Sequence, residues 1–149
     1  MKVVILENIR SAYNVGNIIR TADALWWKVR LSWYTPSPDE IAKVKKTSLG
    51  AEETVGIKQF NTTLEAIAYA KEQWMEVIAA EVTKWAEKLD EFSQKKHIGW
   101  IAVVFGNEVD GVLSATLKAV DTVVYIPMQW VKESLNVGQT SAIFMRELE

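Results

Sequence analysis

The residues able to do chemistry are gathered in three polar, glycine-containing stretches. The first is Asn14-Val15-Gly16-Asn17, followed by Arg20. The second is Phe105-Gly106-Asn107-Glu108-Val109-Asp110-Gly111. The third runs Ile126-Pro127-Met128-Gln129-Trp130-Val131-Lys132-Glu133-Ser134-Leu135-Asn136-Val137-Gly138-Gln139. Between them they offer amides, carboxylates, a hydroxyl and a guanidinium, a set suited to positioning a ligand and guiding a proton. Thiolate chemistry is excluded because the chain has no Cys. A multi-His metal site is excluded because His97 is the one histidine; it reads as a surface residue at a strand entrance.

Each stretch lies between an apolar strand and a helical pattern, which is how a site at one edge of an α/β sheet looks in sequence. Strands are expected over Lys2–Leu6, Val29–Trp33, Thr54–Ile57, Met75–Val82, Gly99–Phe105 and Thr122–Ile126. Helices are expected over Asn14–Ala24, from Thr62 or Thr63 to about Gln73, Ser114–Ala119 and Ser134–Leu148. In the second helix Leu64, Ile67 and Ala68 are spaced for burial. The 34–51 segment contains Pro36, Pro38 and Gly50 and reads as a long functional loop. Residues 84–96 are charged and predict one or two helical turns. This alternation of strand and helix predicts a mostly parallel, three-layer α/β sheet with right-handed crossovers.

With 149 residues, 49% of them hydrophobic and 24% charged, the chain is read as one domain, 1–149. Its formal net charge of -2 is unevenly spread: residues 1–50 hold eight Lys/Arg against four Asp/Glu, and residues 51–149 hold nine against fifteen. A basic pole of Arg10, Arg20, Lys28, Arg30, Lys43, Lys45 and Lys46 would suit phosphate contacts; ordinary solvated charge is the alternative reading. The apolar start, Met1 to Glu7, is too short for a signal peptide, and no run approaches the roughly 20 residues of a membrane span. A cytoplasmic protein with no membrane partner is the expectation.

Three motifs together resemble those of the SPOUT superfamily, the trefoil-knotted S-adenosylmethionine-dependent RNA methyltransferases, in its tRNA/rRNA ribose 2′-O-methyltransferase branch. They are Asn8-Ile9-Arg10-Ser11-Ala12-Tyr13-Asn14-Val15-Gly16-Asn17-Ile18-Ile19-Arg20-Thr21-Ala22-Asp23-Ala24, then Val104-Phe105-Gly106-Asn107-Glu108-Val109-Asp110-Gly111-Val112, then Ile126-Pro127-Met128 with Glu133-Ser134-Leu135-Asn136-Val137. The resemblance covers nearly the whole chain, as a minimal catalytic domain. It implies a deep C-terminal trefoil knot, one of the rare exceptions to the rule against threading. It also implies a homodimer packed through the first and last helices. S-adenosylmethionine would be held near Ala80, Phe105, Gly106, Ile126, Met128, Ser134 and Leu135, with no metal. Arg20 would stand beside the reacting hydroxyl of an RNA substrate as the family's proposed base, with Asn14, Glu108, Ser134 and Asn136 around it. RNA would be contacted by Arg10, Lys45 and Lys46. Because a guanidinium holds its proton to pH values above about 12, a phosphate clamp by Arg20 is the preferred reading here.

Local readings stand beside these roles. Glu108 alone is also suited to accepting backbone N–H groups at a helix start. Ser134 can cap the last helix with Asn136 at N2, and Gly106 and Gly111 serve equally as turn glycines. The seven tryptophans depart from the family pattern. Trp26 and Trp74 stand just after helices, where a left-handed residue, usually Gly, is wanted. Trp33 and Trp85 are turn-adjacent, Trp130 replaces a glycine that follows the Ile-Pro-Met triplet, and Gly138 stands where a small hydroxyl residue is usual. These departures suggest a divergent or engineered member, with two alternatives to catalysis: an impaired or engineered knotted scaffold, or a non-catalytic RNA-binding module.

Overall fold

The structure is a computed structural model that describes residues 1–95, 99–129 and 134–149. Expectations resting on His97, Trp130 and Glu133 fall outside these residues. The strands are β1 (Lys2–Glu7), β2 (Lys28–Ser32), β3 (Ile57–Phe60), β4 (Glu76–Ala80), β5 (Glu87–Lys88), β6 (Ile101–Phe105) and β7 (Thr122–Tyr125). The helices are α1 (Ala12–Ala24), α2 (Ala42–Ser48), α3 (Thr63–Glu72), α4 (Leu89–Ser93), α5 (Ser114–Ala119) and α6 (Val137–Glu147).

The strands form one sheet in the order β3-β2-β1-β6-β4-β7-β5. Every pairing among the described strands is parallel. A parallel sheet covered on both faces needs strands apolar on both sides. The central strands supply this. Val4, Leu6, Ile78, Val103 and Phe105 point into one apolar layer, with Val15, Ile18 and Ile19 of α1, Phe92 of α4, and Phe144 and Met145 of α6. Val3, Ile5, Val77, Ala79, Ala102 and Val104 point into the other, with Ala66, Ile67 and Ala70 of α3. The strand period of two therefore sorts alternate residues into two helical layers.

The strand order carries the topology of the C-terminal half. The chain leaves β4, runs out to β5 at the sheet edge, and returns through α4 to β6 on the far side of β4. Only later does β7 fill the slot between β4 and β5, before α6 packs on α1 and α4. A late strand entering a slot already spanned by earlier chain is consistent with a trefoil-knotted passage.

Several expectations shift. The 34–51 segment is not structureless: it contains α2, and a 3-10 turn, Ala51–Glu53, begins at its end. The strand expected at Thr54–Ile57 begins only at Ile57, because the N–H groups of Thr54 and Val55 are already bonded to the Ala51 carbonyl. In α3 the inward stripe is Thr63, Ala66, Ile67 and Ala70, while Leu64 and Ala68 face solvent. Residues 84–96 add a short edge strand ahead of α4. The Asn14–Asn17 stretch lies inside α1, which begins at Ala12 and not at Asn14, and a Cβ on Gly16 would collide with the Val44 carbonyl and Thr47 of α2. Gly16 is a packing glycine.

Candidate cofactor and substrate site

The C-terminal ends of β4, β6 and β7 open onto a cavity of about 520 Å³. That is within the few hundred to roughly 1,000 Å³ typical of small-molecule and cofactor sites. Its apolar wall includes Phe105, Val124, Ile126, Leu135 and Phe144. Its polar side carries Asn107, Glu108, Ser134, Asn136 and Thr140. The seven residues expected to hold the cofactor, Ala80, Phe105, Gly106, Ile126, Met128, Ser134 and Leu135, all line this space.

The floor is built where β6 runs into the Gly106–Gly111 turn. A Cβ on Gly106 would overlap the backbone of Gly111 and Val112, so no larger residue lets the turn fold back on itself. Asn107 fixes the turn from inside. Its Oδ1 accepts the N–H groups of Val109 at 2.8 Å and Asp110 at 3.0 Å, and its Nδ2 donates to the Asn8 carbonyl at 2.7 Å. Glu81, one residue past β4, closes the other side: its Oε2 accepts the Val112 N–H at 3.0 Å and its Oε1 the Val82 N–H at 2.8 Å. Buried Glu7 ties the end of β1 to α5, accepting the Leu113 N–H at 2.9 Å and the Thr116 hydroxyl.

A chain of side-chain hydrogen bonds links the three motifs. Asn136 Nδ2 donates to Asn14 Oδ1 at 3.2 Å, and Asn14 Nδ2 donates to Glu108 Oε1 at 3.2 Å. Glu108 also accepts the backbone N–H groups of Arg10 and Ser11, each at 3.2 Å. Burial pushes the Glu108 carboxyl up, but the hydrogen bonds from its own N–H, Asn14, Arg10 and Ser11 outweigh it and hold the group below the usual carboxylate range. Glu108 is therefore an anion at neutral pH that joins the start of α1 to the β6 turn.

The remaining expected residues are spread more widely. Ser134 and Asn136 are exposed at the cavity rim. Asn136, and not Ser134, caps α6, its Oδ1 accepting the Gly138 N–H at 2.8 Å, so the last helix begins three residues later than expected. Arg20 is exposed on α1 and does not line the cavity of its own chain. Arg10 lies exposed ahead of α1, and Lys45 and Lys46 are exposed on α2. Thr140 and Phe144, one helical turn apart on the inner side of α6, were not anticipated. Their i, i+4 spacing was the available signal. The clamp formed by Glu81 left no trace in the sequence, because its partners are backbone N–H groups.

A family model described as the SpoU rRNA Methylase family matches residues 1–146. The chain belongs to this family. A 23S rRNA (guanosine-2′-O-)-methyltransferase of Vibrio vulnificus is 30% identical over 147 residues, covering 97% of this chain and 57% of that protein. A tRNA (guanosine(18)-2′-O)-methyltransferase of Escherichia coli is 27% identical, covering 98% of this chain and 62% of that protein. The chain thus spans about three fifths of the length of these curated SpoU relatives. Among solved structures, an AdoMet-bound rRNA methyltransferase of Sinorhizobium meliloti superposes with a TM-score of 0.87 at 23% identity, covering 99% of this chain and 55% of that one. A structure described in terms of 2-OH methylation of C/U34 on tRNA superposes with a TM-score of 0.85 at 23% identity, and there 93% of the other chain is covered. These likenesses show the fold, an α/β architecture with a mostly parallel sheet consistent with the knotted SPOUT form.

Proposed function

We propose that this SpoU family member binds S-adenosylmethionine in the cavity at the C-terminal edge of its sheet and methylates a ribose 2′-hydroxyl of tRNA or rRNA. The observation that carries the reading is the convergence of the second and third motifs on one cavity, with the first tied to it through Asn14, which bonds both Asn136 and Glu108. The residues present suit the cofactor. Phe105, Ile126 and Leu135 offer apolar faces to an adenine, and Ser134 and Thr140 offer hydroxyls to polar groups.

Bound there, the cofactor supplies a methyl group on a sulfonium. What remains for the protein is to orient the attacking oxygen and to give its proton a route. Asn14, fixed between Glu108 and Asn136, is held in one orientation and serves as a positioning residue. The role of Arg20 is to clamp a substrate phosphate through its planar fork and polarise the hydroxyl, while the proton leaves through that phosphate or water. Arg10, Lys45 and Lys46 add sequence-independent phosphate contacts. The proposal includes a homodimer through α1 and α6, whose exposed apolar residues include Tyr13 and Ile143. It also includes a cytoplasmic setting, in keeping with the absence of Cys.

Incubation with labelled S-adenosylmethionine and total RNA, followed by mapping of methylated ribose, tests the activity. Label on one class of RNA at a 2′-oxygen is the expected result. Binding of cofactor without any transfer to RNA would leave a scaffold or RNA-binding role in its place.

A further inference from the structure

Among the described residues, five non-glycine residues have positive φ: Asn8, Trp26, Trp33, Leu49 and Trp74. Three of the five are tryptophan, a bulky residue for which this region is a genuine outlier. Two of the three occupy the same position in the same device. At the end of α1 the N–H of Trp26 bonds the Asp23 carbonyl at 3.3 Å and that of Trp27 bonds the Ala22 carbonyl at 2.8 Å. At the end of α3 the N–H of Trp74 bonds the Lys71 carbonyl at 2.9 Å and that of Met75 bonds the Ala70 carbonyl at 3.2 Å.

Both are Schellman motifs, with buried Trp27 and Met75 as the apolar residue that follows and φ 59° at Trp26 and Trp74. The position each tryptophan fills is the one glycine dominates. Trp33, at φ 58°, holds the first central position of the turn closed by Thr35 N–H on the Ser32 carbonyl at 3.3 Å. Tyr34 after it has no positive φ, the pattern in which glycine leads at that first position.

The side chains do not repay the backbone cost. Trp26 is 93% exposed, Trp74 88% and Trp33 49%, whereas Trp27, at ordinary φ, is 2% exposed and part of the core. Designed fluorescent reporters would not be steered to left-handed caps. A codon would be. UGA differs by one base from a tryptophan codon and by one base from a glycine codon, and different genetic codes assign it to stop, tryptophan or glycine. A gene that uses UGA for glycine yields tryptophan at glycine positions, and only there, when UGA is given the tryptophan assignment.

We propose that Trp26, Trp33 and Trp74 are glycine in the protein as its source cell makes it, each encoded by a UGA that the cell translates as glycine. Trp27, encoded by UGG, is a true tryptophan. With glycine at these positions both helix ends lose their strain, and the sheet edge beyond β2 loses the ring that stacks on Tyr34 at 5.6 Å.

The test has two arms. The gene is read at the four codons, and the protein isolated from its source cells is sequenced by mass spectrometry. UGA at positions 26, 33 and 74 with glycine in the peptides, and UGG at 27, is the expected result; UGG at the three positions, or tryptophan in the peptides, overturns the proposal. In the second arm the chain with tryptophan is compared with W26G, W33G, W74G, W26A and W27G by denaturant unfolding. Each of the first three should raise the folding equilibrium constant about five- to thirty-fold, W26A should recover less because its Cβ remains, and W27G should lower it. Equal gains from W26G and W26A would remove the backbone argument on which the assignment rests.

Discussion

Glu108 is the residue on which the site's electrostatics turn. Its folded-state pKa is depressed, so its contribution to stability is complete above its unfolded value of about 4.3 and is lost as pH falls through the folded value. E108Q should therefore melt below the wild type at pH 7, and the gap should close as pH falls below about 4 in a series of thermal melts. A constant gap would place the loss in packing and not in charge. Gly106 acts through space alone: G106A forces a methyl group into the Gly111–Val112 backbone. It should cost about 1–3 kcal/mol in denaturant unfolding and weaken S-adenosylmethionine in calorimetric titration. For Arg20 the informative change is R20K, which keeps the charge and loses the planar fork. A large fall in transfer to RNA with unchanged cofactor affinity is expected, and near-normal activity would count against the phosphate clamp.

Individual elements show which local signals were strong enough to read. Helix α3 begins with a complete capping box: Thr62 Oγ1 accepts the Glu65 N–H at 3.2 Å and Glu65 accepts the Thr62 N–H at 3.3 Å. T62A should cost about 1 kcal/mol, seen as a fall of ~2–4 °C in the melting midpoint. The same helix shows the limit of periodicity. Periodicity offers a stripe with Leu64, Ile67 and Ala68 inside, and a second stripe one residue away is hard to separate from it in a ten-residue helix; docking against Val3 and Val77 selects the one built on Ala66, Ile67 and Ala70. Helix α2 was lost among prolines and lysines. Its buried residues are Val44 and Ser48, and it packs chiefly on α1, a surface that is invisible locally.

At the scale of the molecule, the sheet order sets where chemistry can occur. Because β7 lies between β4 and β5, the loops after β4, β6 and β7 meet at one edge, and the start of α6 closes over them. Sedimentation equilibrium should report a dimer at micromolar concentration, and I143D on α6 should shift it toward monomer; a monomer at all concentrations would remove the dimer from the proposal. RNA retention should weaken steeply between 50 and 200 mM salt if Arg10, Lys45 and Lys46 meet phosphates, since each neutralised phosphate releases counterions.

By itself the sequence determined the class of fold, because strand and helix periods and the apolar content of β1, β4 and β6 are local properties. It also marked Asn14, Glu108, Ser134 and Asn136 as candidates, since they lie in motifs distinctive as a set. Tertiary structure alone decided how those residues meet. The bonds from Asn136 to Asn14 and from Asn14 to Glu108 span 122 and 94 residues of chain, and no local spacing encodes them. It likewise decided that Glu81 and Glu7 serve backbone N–H groups, that Asn136 takes the helix cap in place of Ser134, and that Gly16 is there for α2. The physical reason is the same in each case: a partner supplied by a distant segment, or by the backbone itself, has no signature in the residues around it.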